Sequence, residues 1–141
     1  MSEWHVYIDG ASLGNPGKSG AGLVAFDTAG NELWHEGVHL GEMTNNMAEY
    51  EALVRAVRRA RDSGIASLFV YTDSQLVANQ WNGCYMVKNK RLLAYLMEAK
   101  ALARSLTSVR VQYIPRERNR VADGIAKRAA GQEQPSPDPP G

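Results

Sequence analysis

The sequence predicts a mixed α/β fold: a five-stranded sheet, three antiparallel strands followed by two parallel ones, flanked by helices. Three observations predict it. Alternating apolar residues broken by turn formers fill the first 40 residues, the spacing becomes helical from residue 45, and strand-like and helix-like segments then alternate to about residue 130. Residues 4–8 set Trp4, Val6 and Ile8 against His5, Tyr7 and Asp9, which reads as a strand, and residues 10–17 are dense in turn formers. A second strand is expected at 21–26, and Thr28-Ala29-Gly30-Asn31 turns the chain into a third at 32–40. Over residues 45–63, Met47, Tyr50, Leu53, Val54 and Val57 form one apolar stripe, with Gly64 as the stop. Residues 68–72 are apolar and rich in β-formers, as expected for a strand covered on both faces. A short helix starts near Ser74 and breaks at Asn82-Gly83; another runs over 90–105. The fifth strand occupies 109–114 and ends at Pro115, and Asn119 is placed to cap a last helix over 120–130. Residues 132–141 hold four of the six prolines and no large apolar side chain, so a disordered tail is expected after one domain over 1–131.

Composition narrows the function classes. The formal net charge is +1, so bulk charge does not announce a nucleic-acid binder and any such case must rest on local placement. Cys84 is the single cysteine and has no internal disulfide partner, which suits a reducing cytoplasm. Met1-Ser2-Glu3-Trp4-His5 has no secretory pattern, and no apolar run approaches the roughly 20 residues of a membrane helix. The expectation is a cytoplasmic monomer with no membrane and no obligate protein partner. Met43, Met47, Met86 and Met97 are expected in the core. Gly17-Lys18-Ser19 is not a phosphate loop: the motif's first glycine would fall at Ser12, and Ala21-Gly22-Leu23-Val24 reads as strand, not helix.

Four acids stand where packing would not put them. Asp9 follows the apolar part of strand one and Asp73 follows strand four. A helix between those strands makes them parallel by the right-handed crossover, so both aspartates fall at carboxyl ends, where open α/β sheets bind ligands. Glu51 precedes Arg55 by four residues, an ordinary solvated pair. Glu49 instead shares an inward face with Ala52, Leu53 and Ala56, where an acid is costly without a positive partner, and its place in the first turn puts it near that end of the sheet. Asp123 lies one turn into the last helix between Val121-Ala122 and Ile125-Ala126. The helix dipole favours first-turn acids by about 0.3–1 kcal/mol, which alone would account for Glu49 or Asp123, and an aspartate after a strand often opens a turn. The case is joint: carboxylates gathered at one sheet end repel one another, and divalent cations with oxygen shells remove that repulsion.

Tyr7-Ile8-Asp9-Gly10-Ala11-Ser12 with Gly14-Asn15-Pro16-Gly17, Thr44-Asn45-Asn46-Met47-Ala48-Glu49, Tyr71-Thr72-Asp73-Ser74-Gln75 and Asn119-Arg120-Val121-Ala122-Asp123 together resemble type 1 ribonuclease H, in order, from residue 4 to about 130. The resemblance implies a ribonuclease H fold, an RNA–DNA hybrid as partner, and Asp9, Glu49, Asp73 and Asp123 as catalytic ligands of two Mg²⁺ ions, with Mn²⁺ as an alternative. It implies in-line hydrolysis of the RNA strand with ions about 3.5–4 Å apart, leaving 5′-phosphate and 3′-hydroxyl ends. Asp9 would bridge the ions and Asp73 hold the water-activating one. Gly10, Ser12, Asn15, Thr44, Asn45, Asn46 and Gln75 would contact the substrate; amides and exposed backbone suit ribose 2′-hydroxyls and sequence-independent phosphate contacts. For Asn45-Asn46 helix capping is the alternative, and the two roles are compatible.

Two departures stand out. Many members carry a histidine in the loop before the last aspartate; here that loop is Pro115-Arg116-Glu117-Arg118, and the histidines are His5, His35 and His39. The Pro-Arg-Glu form resembles the compact archaeal-type branch, with Glu117 or Arg118 as auxiliary candidates. The basic protrusion of many members is also absent. Trp81, Tyr85, Lys88, Lys90 and Arg91 form a shorter basic-aromatic segment suited to a backbone groove, with the core as the alternative place for Trp81 and Tyr85. Two rival readings remain at this level: a non-catalytic hybrid-binding module, and a nuclease of the same fold that cuts DNA.

Overall fold

The computed structural model describes residues 2–132. Its five strands are β1 (Glu3–Ser12), β2 (Gly17–Phe26), β3 (Glu32–Met43), β4 (Ser67–Thr72) and β5 (Ser108–Tyr113). Its helices are α1 (Asn45–Asp62), α2 (Gln75–Trp81), α3 (Lys90–Ala103) and α4 (Arg120–Gly131), with a 3₁₀ turn at Arg116–Arg118. The sheet order is β3-β2-β1-β4-β5. β1 pairs antiparallel with β2, and β2 with β3; β1 pairs parallel with β4, and β4 with β5. The expected mixed sheet and the parallel β1–β4 crossover are both present.

The chain buries its apolar stripes on two faces. Val6, Ile8 and Leu23 from the sheet meet Tyr50, Leu53 and Val57 of α1, all fully buried, and α3 packs on α1 behind them. On the opposite face α4 crosses β2, β1 and β3 over a smaller cluster of Val24, Ala122 and Ile125, against which Tyr7 and Phe26 pack. Two glycines set how closely these helices approach. A Cβ at Gly10 would stand 2.3 Å from the Ala48 carbonyl carbon and the Glu49 nitrogen, and one at Gly22 would stand 2.3 Å from the Ala122 oxygen. Alanines on the buried side of α4 (Ala122, Ala126, Ala129, Ala130) complete that close contact. α1 and α4 are therefore pressed onto the sheet beside Asp9, from opposite sides.

Several expectations change. β1 runs four residues past Ile8, and β2 starts at Gly17 rather than 21, so the turn shrinks to residues 13–16. Backbone pairing extends these strands through residues whose composition suggests a loop: Gly10↔Ala21 through Ser12↔Ser19 stay in register. β4 is not covered on both faces. Leu68, Val70 and Thr72 are buried, whereas Phe69 and Tyr71 are half-buried and stack on His5, because α4 lies over β1–β3 instead. Met86 and Met97 are exposed at 83% and 63%, outside the core expected for them. The expected tail over 132–141 falls, from residue 133 on, outside the described residues.

Candidate active site

Asp9 lies within β1, not after it. Its register partner in β2 is Gly22, but the β1–β4 ladder stops at Ile8↔Thr72. Asp9 and Asp73 thus leave the parallel ladder side by side, on neighbouring strands. Strand alternation turns Asp9 away from the Val6–Ile8 face, and it is only 5% exposed.

Glu49 reaches the same point from α1. It sits in the second turn, since no acid occupies the first; the dipole explanation therefore loses force for it. Its Oε1 accepts from the Gly10 N–H at 2.8 Å and its Oε2 from the Thr72 hydroxyl at 3.2 Å. Among the described residues no cation pairs with this 5% exposed carboxylate. Glu51, by contrast, pairs with Arg55 at 3.7 Å and accepts from the Tyr95 hydroxyl at 2.9 Å, the solvated arrangement expected of it.

Asp73 Oδ2 accepts from Asn119 Nδ2 at 3.1 Å, and the same amide nitrogen donates to the Ile8 carbonyl at 2.8 Å. Asn119 occupies the N-cap position of α4 as expected, yet its side chain makes no cap bond. Buried at 2% exposure, it joins β1 to Asp73 instead. Asp123 is in the first turn of α4, and its Oδ2 lies 3.1 Å from Lys127 Nζ.

Asp9, Glu49 and Asp73 each bring a carboxylate oxygen within 4.8 Å of the others. Such crowding resists ionisation. Asp9 is held far above the usual carboxylate range, first by burial, then by the charge of Glu49 and a hydrogen bond with it, then by Asp73 and Asp123. Glu49 is pushed up to about 7, burial outweighing the hydrogen bonds from Asp9, Gly10 and Thr72 that favour its charge.

A cleft of about 480 Å³ opens on the cluster. Gly10, Ser12, Asn45, Asn46 and Asp123 line it with the three acids, as do Ser74, Arg116 and Lys127. Asn45 Oδ1 accepts from the Ser12 N–H at 3.0 Å. Thr44 is the N-cap of α1, accepting from the Met47 N–H at 3.2 Å, and Asn15 Oδ1 accepts from the Asn45 N–H at 3.2 Å. Thr44 and Asn15 therefore buttress the start of α1 and do not line the cleft. Gln75 begins α2 and is exposed beside Ser74.

The auxiliary candidates separate. Glu117 and Arg118 line a different hollow, floored by Tyr7 and Phe26, while Arg116 faces the carboxylates. Trp81 is 7% exposed in the core, under Lys100 Nζ at 3.8 Å from its ring centroid, and cannot line a groove; Lys88 is exposed. Thr72, Arg116, Asn119 and Lys127 were not selected by sequence reasoning as site residues. Thr72 and Asn119 stand inside the motifs that carry the resemblance, and Lys127 stands four residues after Asp123, so each left a signal in the sequence.

Residues 7–129 match the family model described as "Reverse transcriptase-like". The chain is 35% identical over 125 residues to ribonuclease HI of Halobacterium salinarum, covering 89% of this chain and 63% of that protein. A bifunctional protein of Mycobacterium tuberculosis is 36% identical over 125 residues, 88% of this chain and 34% of its own length. The chain thus spans less than two thirds of these relatives. The crystal structure of RNase H1 from Halobacterium salinarum superposes with a TM-score of 0.87 at 34% identity, covering 91% of this chain and 97% of that one. LC11-RNase H1 in complex with an RNA/DNA hybrid superposes at 0.85 and 34% identity, covering 90% and 96%.

Proposed function

The chain belongs to the ribonuclease H family, and on that premise we propose that it hydrolyses the RNA strand of RNA–DNA hybrids with two divalent cations held by Asp9, Glu49, Asp73 and Asp123. The observation that supports this reading is the convergence of three carboxylate oxygens within 4.8 Å, two of the acids raised well above their ordinary pKa. An all-oxygen, acid-rich donor set fits a hard cation such as Mg²⁺ or Mn²⁺. When bound, such ions supply an activated water and charge stabilisation at the leaving 3′-oxygen, giving 5′-phosphate and 3′-hydroxyl ends.

The chain's own residues prepare that site. The Gly10 N–H and the Thr72 hydroxyl hold both oxygens of Glu49, so its carboxylate is fixed before any ligand arrives. Asn119 fixes Asp73 against β1. Asp9, whose proton burial and its neighbours favour, would have to release it to hold a cation. Along the cleft, the Asn45 and Asn46 amides and the backbone of Gly10–Ser12 offer mixed donors and acceptors to ribose 2′-hydroxyls, the group that separates RNA from DNA. Asn15 and Thr44 hold that wall in place, next to where the DNA strand would pass. The solved complex of LC11-RNase H1 with an RNA/DNA hybrid supports the substrate class.

The test is cleavage of a matched hybrid, RNA duplex and DNA duplex with Mg²⁺ or Mn²⁺, with the ends of the products identified. Hybrid cleavage that needs the cation, spares the DNA duplex and disappears in Asp9→Asn is expected. Full activity in Asp9→Asn, or efficient cutting of the DNA duplex, overturns the reading.

A further inference from the structure

Asp123 differs from the other acids in what holds it. Glu49 and Asp73 are held by uncharged donors, an N–H, a hydroxyl and an amide. Asp123 is held by a cation: its Oδ2 lies 3.1 Å from Lys127 Nζ. It lines the same cleft as the other three acids but is not among the carboxylates that meet within 4.8 Å. Asp123 thus lines the cleft beside the cluster, with Lys127 on its carboxylate. The two partners sit at i and i+4 of α4 with the acid on the N-terminal side, the favourable order. Lys127 is 64% exposed and Asp123 25%, so the ammonium stands at the wet mouth of the cleft. An ion pair so placed is weak and exchangeable.

We propose that Lys127 is a positioning residue: it keeps Asp123 outside the three-acid cluster until a second divalent cation draws Asp123 in, and so separates the affinities of the two ions. The inference rests on the two-cation reading above. Asp9, Glu49 and Asp73 already offer converging oxygens to a first cation. A second needs Asp123, which must exchange an ammonium for the ion while that ammonium stays nearby and repels it. Occupancy of the second position, and activity with it, then follows the free divalent-ion concentration rather than any change in fold.

The experiment is Mn²⁺ binding by calorimetry to the metal-free chain, in the wild type, K127M and K127R. In K127M the weaker ion should bind about fivefold tighter, the worth in water of the single unit-charge pair with Lys127 that Asp123 no longer has to give up, with the tighter ion changed by less than about twofold. K127R keeps the charge and should behave as wild type. In an Asp123→Asn background K127M should add nothing, which a general loss of positive field would not give. A wild-type isotherm with a single ion overturns the two-cation reading and this inference with it. A two-ion isotherm that K127M leaves unchanged, or in which both ions tighten equally, overturns this inference alone.

Discussion

Asp9→Asn should make the metal-free protein more stable, and more so as pH rises. Asp9 is 5% exposed and its folded pKa lies far above the ordinary 3.8, by burial first and by Glu49 second. The folded chain therefore keeps a proton that the unfolded chain releases above about pH 4. A raised folded pKa means that stability is whole below the unfolded pKa and is lost as pH climbs toward the folded one. At about pH 7.5 the gap to 3.8 is about 3.7 pH units, and at about 1.4 kcal/mol per unit the ceiling is about 5 kcal/mol. Water entering the cleft and relaxation of the side chains reduce this, so a gain of about 2–4 kcal/mol is expected, or about 6–15 °C in Tm for a chain of this size. At about pH 4.5 the same substitution should gain under about 1 kcal/mol. Thermal melts followed by circular dichroism in EDTA at the two pH values measure both numbers, and Mg²⁺ should stabilise the wild type far more than Asp9→Asn. Equal melting of the two proteins in EDTA at the higher pH, or a difference that ignores pH, would refute the electrostatic account of the cluster.

Gly22→Ala should destabilise by about 3 kcal/mol and lower hybrid cleavage, because overpacking displaces α4: the new Cβ would stand 2.3 Å from the Ala122 oxygen and 2.6 Å from the Ala126 nitrogen, next to the turn that carries Asp123. Urea denaturation and a cleavage assay at permissive temperature check the two effects. Asn119→Ala should cost about 1–3 kcal/mol, the penalty of leaving buried polar groups without a donor, here the Ile8 carbonyl and Asp73. Its kcat should fall with little change in KM, because Asp73 is no longer held; an unchanged kcat would show that the amide serves the fold alone.

What the sequence determined by itself was everything of short range. Alternation in residues 4–8 and the helical stripe from Met47 to Val57 are local periods that burial imposes on any such segment, and the structure keeps them. The crossover rule then makes β1 and β4 parallel and so brings Asp9 and Asp73 to one end of the sheet, as the β1–β4 register shows. Glu49 stood out against Glu51 because one helix shows both a buried and a solvated face. Local periods also left marks that were there to be read further, such as Lys127 one turn after Asp123. Tertiary structure decided the rest. Trp81 reads as well for a groove as for a core until the packing of α2 buries it. Arg116 and Arg118 are alike in sequence, but a 3₁₀ turn of about three residues sends side chains two positions apart to different sides, and of the two Arg116 lines the cleft of the acids. Asn119 has the composition of a cap; it gives up that bond because β1 and Asp73, 111 and 46 residues away in the chain, present buried acceptors to it. Contacts at such separations depend on the sum of the packing rather than on any local pattern, which is why the acids were legible in the sequence and the hold of Asn119 on Asp73 and of Thr72 on Glu49 was not.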